Sequence, residues 1–335
     1  MRCLVTGSAG FIGFHVTERL LQDGHEVTGV DGMTSYYDVK LKERRNRQLE
    51  AHPKFRFRRL MLEDFESLGR AVADCAPKLV VHLAAQAGVR YSLENPRAYI
   101  DANVIGTFNL LELCRQTPPR HLVIASTSSV YGANVDFPFA EGDRTDHPLT
   151  LYAATKKSVE EIAHCYAHLW KIPTTVLRFF SAYGPWGRPD MALFKFVSSI
   201  LADRPIDVYN HGKMVRDFTY VDDLVEALVR LCDKIPAGDS AGPAGGVDSL
   251  SPVAPFRVVN IGGGNPVSLL TFIEEIEGAL GRGAKRNYMD MQPGDVQRTE
   301  ASTALLDALI GYRPQTPVSV GVRQFVRWYR DYYGV

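Results

Sequence analysis

Cysteine is scarce and scattered. Five occur in 335 residues, at Cys3, Cys75, Cys114, Cys165 and Cys232, and no two stand in a C-x-x-C spacing. An odd, unclustered set speaks against a disulfide framework or a cysteine metal site and fits thiols buried in a reducing compartment. The nine histidines show no H-E-x-x-H spacing, so no metal is expected, and His82 in "VVHLAA" reads as a strand residue. Charge of one sign is also missing, because 38 Lys and Arg balance 38 Asp and Glu. Nothing global therefore attracts nucleic acid or an anionic membrane surface, and an anionic ligand must meet a local cluster of cations. No apolar run approaches the ~20 residues that cross a bilayer. The first strand starts at Arg2, which leaves no space for a signal peptide. A cytoplasmic protein is expected, with no membrane or nucleic-acid partner. No internal repeat is found.

The composition that remains, 45% hydrophobic and 23% charged, suits a globular chain of one large or two modest domains. The first half alternates short β-branched runs ("RCLVTG", "EVTGVD", "FRFRRL", "KLVVHLAA", "HLVIAS", "TTVLRFF") with longer helical stretches. Near-continuously apolar strands separated by helices predict an α/β fold, a Rossmann-type doubly wound parallel sheet covered on both faces. After Ser181 helices dominate, at roughly 192–201, 222–232, 268–280 and 318–333. The expected division is 1–180 for the dinucleotide-binding domain, with returns at roughly 214–235 and 257–262, and 181–335 for a smaller, interleaved substrate domain. "PAGDSAGPAGGVDSLSPVAP" (236–255) has no periodicity and reads as a surface loop.

"VTGSAGFIG" sets Gly7, Gly10 and Gly13 after the first strand and at the start of an amphipathic helix. Such glycines permit a tight turn, close approach of a pyrophosphate and close helix–strand packing, while the helix N-terminus offers N–H donors. Three glycines alone also make an ordinary helix-opening turn; the strand before and the helix after are the context that dinucleotide binding requires. The second strand ends at Asp31, where a carboxylate suits the ribose hydroxyls of NAD and repels a 2′-phosphate.

Tyr152 and Lys156 in "YAATK" share one helix face at i,i+4. A tyrosine needs a positive neighbour before it can serve as a base near neutral pH, and a lysine one turn on supplies that field. Alone, the pair could equally be a surface contact. Upstream, "ASTSSVYG" (125–132) places Ser126, Thr127, Ser128 and Ser129 at the end of a buried strand with no acid among them. These hydroxyls either serve a ligand or satisfy backbone groups at the strand end.

Together these motifs resemble the extended short-chain dehydrogenase/reductases, and within them the UDP-glucuronate 4-epimerase family. The likeness runs through "GSAGFIG", "YYDVKLKERR", "VVHLAAQAGVRYSLENP", "STSSVYG", "YAATK", "RFFSAYGPWGRPDMALFKF", "VRDFTYVDD", "NIGGGNP" and "MQPGDV". It implies a catalytic triad of Thr127, Tyr152 and Lys156 working with NAD as cofactor. It also implies that Phe11, Ile12, Leu62, Ala84, Ala85, Lys156 and Tyr183 join Gly7, Gly10, Gly13 and Asp31 around that cofactor. For a UDP-sugar substrate it implies Arg90, Thr127, Ser128, Ser129, Ser181, Arg188, Lys195, Arg216 and Asp295. The resemblance further implies a homodimer formed through the helices that contain 103–114 and 152–169.

The implied reaction interconverts UDP-glucuronate and UDP-galacturonate through a 4-keto sugar. Related dehydratases carry an Asp-Glu pair after the threonine, and related decarboxylases a glutamate at the position of Ser129. Ser128 and Ser129 offer neither acid nor base at neutral pH, which favours simple oxidation and return. Hydroxyls at Thr127, Ser128, Ser129 and Ser181 could also cradle a sugar carboxylate. The family aspartate expected to meet the adenine is replaced by Met61, which would shift that contact to Glu63 or Asp64. Gln292 and "VQRTE" (296–300) depart from the pattern as well. The alternatives are a 4-epimerase of UDP-glucose and UDP-galactose type and, in another class, a catalytically silent NAD-binding regulator.

Overall fold

The central strands form on predominantly apolar runs such as "RCLVT" and "LVVH". The computed structural model describes residues 1–237 and 248–335, so the expected loop at 236–255 lies partly outside the described residues. The strands are β1 (Arg2–Thr6), β2 (Glu26–Asp31), β3 (Phe55–Arg59), β4 (Leu79–His82), β5 (His121–Thr127), β6 (Thr174–Phe179), β7 (Ser181–Tyr183), β8 (Ile206–Tyr209), β9 (Val215–Tyr220), β10 (Phe256–Ile261), β11 (Pro266–Ser268) and β12 (Arg286–Met289). Seven of them make one parallel sheet in the order β10-β6-β5-β4-β1-β2-β3. The expected Rossmann-type sheet is thus present.

Side chains alternate across the sheet, and both faces are covered. On β1 and β5, Cys3, Val5, Val123 and Ala125 join one core. Leu4, Leu122 and Ile124 join the other, with Leu68, Leu110 and Val159 from the helices 65–75, 106–116 and 151–170. The first core continues into the C-terminal helices through Phe194, Phe272 and Phe325. Edge strand β3, "FRFRR", is largely open to solvent and carries arginines, which discourage a further strand from pairing.

Near the second of the two stretches expected to return to the dinucleotide-binding domain, residues 256–261 pair with β6 as β10. The other differs. Residues 215–220 form β9, in a separate three-stranded sheet of order β11-β9-β7. The helix 221–232 that follows packs on the helix 11–22 of the main body. Strands β8 and β12 make a two-stranded parallel ladder. Among the described residues no helix is long and apolar enough to cross a membrane.

The C-terminal ends of β1, β2, β4, β5 and β6 share one edge of the sheet, the edge where ligands of open α/β sheets collect. His82 stands there with both ring nitrogens engaged, by Thr6 Oγ1 at 2.7 Å and Thr107 Oγ1 at 2.9 Å. At the opposite end of β5, His121 meets the Cys232 carbonyl at 2.9 Å and Thr175 Oγ1 at 2.8 Å. Burial pushes the His82 imidazole down to about 3 and His121 to about 4. Both rings are neutral in the folded state but take a proton in the unfolded chain below about pH 6.5. Stability is therefore lost as pH falls through that window, by about 2 kcal/mol per ring between pH 7 and pH 5. In urea unfolding, His121→Gln should shrink the pH 7 to pH 5 difference by about that amount, whatever the variant's absolute stability. An unchanged difference would contradict the assignment.

Candidate active site

Two lobes of one crevice open over that sheet edge. The inner lobe, about 660 Å³, lies over β1, β2 and β4. Gly7 has φ +74°, and a Cβ there would stand 2.8 Å from the Ala84 backbone nitrogen. A Cβ at Gly13 would overlap the Gly7 carbonyl oxygen. Only glycine allows the helix 11–22 to begin this close to the strand ends. The Gly10 N-cap has no side-chain cap, so the first N–H groups of the helix face the lobe as anion donors. Asp31 accepts from the backbone nitrogens of Ala9 at 3.1 Å and Met33 at 2.8 Å. Those bonds fix the carboxylate at the lobe wall and leave acceptor capacity for two hydroxyls.

Phe11, Ile12, Leu62, Ala84, Ala85, Thr127, Tyr152 and Lys156 also line this lobe, together with Met61 and Glu63. Asp64 does not join them, because its carboxylate caps the helix 65–75 by accepting from Ser67 N at 3.0 Å. A glycine turn, a ribose-facing carboxylate and a buried ammonium match the pyrophosphate and ribose groups of a dinucleotide, so the lobe fits NAD.

At the far wall Thr150 caps the helix 151–170, accepting from Ala153 N at 3.3 Å. Tyr152 and Lys156 follow on its inward face. Burial raises the Tyr152 phenol, while the neighbouring Thr127 hydroxyl and the Arg188 charge draw it back down. Burial pushes Lys156 down to about 8, and Glu160 one turn further along opposes the drop. Glu160 is itself fully engaged. Ser126 Oγ donates to it at 2.6 Å, and Arg178 donates from Nε at 3.0 Å and Nη2 at 2.8 Å.

Asn103, which no motif marked, bridges the same region. Its amide holds both the N–H and the carbonyl of Gln86 and donates to Thr155 Oγ1 at 3.1 Å. Thr155 in turn donates to the Tyr152 carbonyl at 2.9 Å. The stretch 100–105 around Asn103 is wound as a π-helical turn, a local irregularity common at functional sites. An asparagine inside the apolar run "YIDANVIGTFNLL" was the available signal.

The outer lobe, about 850 Å³, is lined by Arg90, Arg216, Asp295 and Tyr209, and at its exposed rim by Lys195. Arg90 donates to Asp295 at 3.0 Å and stacks over the Tyr209 ring, its guanidinium carbon 4.1 Å from the centroid. Tyr36, Ser181 and Arg188 border both lobes. Arg188 is paired with Asp190, Nε to Oδ1 at 3.0 Å, and Asp190 also accepts from the Tyr36 hydroxyl at 3.0 Å.

Two groups of expected site residues fall elsewhere. Ser128 and Ser129 line neither lobe. They open a 3₁₀ turn that Thr127 caps, with Ser129 N donating to Thr127 Oγ1 at 3.2 Å and Thr127 Oγ1 donating to Ser129 Oγ at 3.2 Å. Tyr183, expected at the cofactor, is buried against Phe218, Tyr220 and Phe272 and borders the outer lobe. Its flat ring fills the space between the small sheet and the helix 269–280. Among the described residues no group of side chains could hold a metal ion.

Comparison with known proteins gives one consistent answer. The sequence profile described as "NAD dependent epimerase/dehydratase family" matches residues 3–244. A probable UDP-glucuronate 4-epimerase of Rhizobium meliloti is 59% identical, over 99% of this chain and 98% of that protein. UDP-glucuronate 4-epimerase 1 of Arabidopsis thaliana is 44% identical, over 99% of this chain and 77% of that protein. The crystal structure of UDP-glucuronic acid 4-epimerase from Bacillus cereus, in complex with UDP-glucuronic acid and NAD, aligns with a TM-score of 0.88 at 31% identity. That alignment covers 99% of this chain and all of the other. The glycine turn, the Thr127–Tyr152–Lys156 wall and these alignments agree, and the chain belongs to the NAD-dependent epimerase/dehydratase family, among the extended short-chain dehydrogenase/reductases similar to UDP-glucuronate 4-epimerases.

Proposed function

We propose that this protein interconverts UDP-glucuronate and UDP-galacturonate by oxidation and reduction at C4 of the sugar. The observation that carries the reading is the position of Thr127, Tyr152 and Lys156, on the wall of the NAD-fitting lobe next to a lobe lined with arginines. The chemistry that bound NAD supplies is reversible hydride transfer at C4. Tyr152 Oη takes the proton of the 4-hydroxyl and later gives it back. Thr127 Oγ1 holds the 4-oxygen, and Lys156 favours the phenolate and engages the ribose. Asp31 takes the other ribose, and the glycine turn the pyrophosphate.

Arg90, Arg216 and Asp295 receive the UDP portion, and guanidinium forks suit its phosphates. Elimination would need a free acid and base beside the sugar. Glu160, one turn beyond Lys156, and Asp190, beside Arg188, are already paired with Arg178 and Arg188. The hydroxyls of Thr127 and Ser181 line the crevice and suit a sugar carboxylate.

We further infer a homodimer. Ile100, Ile105 and Phe108 are exposed on one helical stretch, and Leu169 and Trp170 on the neighbouring helix 151–170. This adjoining apolar face suits burial against a second copy. The buried thiols of Cys3, Cys75, Cys114 and Cys232 suit a reducing compartment, and we expect the protein in the cytoplasm.

Purified protein given UDP-glucuronate without added NAD should yield the 4-epimer, resolved chromatographically from UDP-pentose, and should act far more slowly on UDP-glucose. Tyr152→Phe should slow epimerisation by at least about a hundredfold; wild-type turnover in that variant would end the proposal. Thr127→Val removes a neighbouring hydroxyl that favours the phenolate, so the acid limb of kcat/KM should move to higher pH. A limb that stays in place would show that Thr127 does not tune the base. Phe108→Glu should convert dimer to monomer in size-exclusion chromatography with light scattering, and an unchanged mass would exclude this face as the interface.

A further inference from the structure

Arg216 and Asp217 are neighbours on β9, and their side chains have opposite surroundings. Arg216 borders the outer lobe, but among the described residues it has no carboxylate within salt-bridge distance. Its guanidinium is aimed by backbone carbonyls. Nη1 donates to Val215 O at 2.9 Å and Gln297 O at 3.1 Å, and Nη2 donates to Val296 O at 2.6 Å. The stretch that supplies two of these carbonyls belongs to no sheet strand; it lies along β9 through a bridge between Val215 and Arg298.

Asp217 is completely buried. Its carboxylate accepts from the backbone nitrogens of Gly263 at 2.8 Å, Gly264 at 3.0 Å and Ala301 at 2.9 Å. Its own N–H donates to Thr299 Oγ1 at 3.3 Å. No cation pairs with it among the described residues, so these N–H groups alone compensate the buried charge. A buried carboxylate tolerates that environment only when its donors stay in place. The carboxylate thereby pins 299–301 and the 263–264 turn to β9.

We propose that Asp217 is the positioning residue of Arg216: by fixing 299–301 against β9 it holds the Val296 and Gln297 carbonyls that point the guanidinium at the diphosphate of the nucleotide sugar. The proposal rests on the reading of Arg216 as a diphosphate ligand. It explains why the side chains of Val296 and Gln297 can depart from the family pattern, since these two residues serve Arg216 through main-chain oxygens. It also gives the carboxylate a task that asparagine cannot perform. An amide at 217 keeps one acceptor oxygen and turns a donor toward an N–H, so at least one of the three backbone bonds is lost.

The test compares Asp217→Asn, Thr299→Val and Arg216→Ala in the NAD-loaded protein. The readouts are KM and kcat for UDP-glucuronate, competitive inhibition by UDP and by uridine, and NAD affinity. Asp217→Asn should raise KM and weaken UDP inhibition by about tenfold or more, the scale of a misdirected charge-assisted hydrogen bond. Uridine inhibition and NAD affinity should hold, and kcat should change by no more than about twofold. Should Asp217→Asn fail to fold, Thr299→Val loosens the same strap more gently and should move the same quantities in the same direction. Unchanged UDP inhibition in the folded strap variants, with Arg216→Ala weakened, would overturn the positioning role. Uridine and NAD binding falling in step with UDP would overturn it too, marking Asp217 as a general fold staple. UDP inhibition unchanged in Arg216→Ala would instead remove the diphosphate reading on which the proposal stands.

Discussion

The ion pair between Glu160 and Arg178 is the constraint on which the reacting end depends. Both side chains are almost fully buried. Ser126 and Arg178 face each other in the β5–β6 register, and Glu160 reaches down from the helix 151–170 to bind both. A buried pair of this kind need not add stability over an apolar packing, because desolvation offsets much of the attraction. What it does add is position. It locks the helix that bears Tyr152 and Lys156 to the strand that ends in Thr127, so three side chains from two elements keep one arrangement. Arg178 extends the lock by donating to the Glu141 carbonyl at 3.1 Å and lying over the Tyr131 ring. The same carboxylate opposes the loss of charge that burial imposes on Lys156.

From that fixed wall outward, the crevice changes its means of holding charge. The inner lobe uses backbone N–H groups at a helix start and one well-anchored carboxylate. The outer lobe uses guanidinium groups whose directions are set by carbonyls, by a carboxylate or by an aromatic ring. Where the lobes meet, Asp190 occupies Arg188, and Tyr36 from the β2 side closes onto the same aspartate. The reacting end is thereby left with hydroxyls, a phenol and an ammonium, a set suited to moving one proton back and forth and poorly suited to expelling water.

Much of this is legible in the sequence wherever function follows local chain geometry. The glycine turn, the carboxylate ending the second strand and the i,i+4 Tyr–Lys pair each depend on a few adjacent residues, and the main sheet follows from apolar runs. Ser128 and Ser129 sit in a 3₁₀ coil that begins directly after Thr127, a change of direction that hydroxyl composition does not encode. Tyr183 packs beside Phe218 and Phe272 and borders the outer lobe, and a motif tyrosine does not by itself announce such a core position. Strands β8 and β12, "IDVY" and "RNYM", are too short and too mixed to carry a periodic signal. Asn103 and Asp217 act through backbone groups distant in sequence, and no single-chain pattern announces that.

The pairing of β10 with β6 has a consequence in time. Residues 174–179 leave the ribosome well before 256–261, and until the later strand arrives β6 is the edge of a parallel sheet. Its row of N–H and C=O groups is then open, with Val176 and Leu177 in a core not yet closed on that side. Such an edge is where a nascent chain pairs with its neighbours or meets a chaperone. The main sheet is therefore sealed by a strand that follows β7, β8 and β9 in the chain.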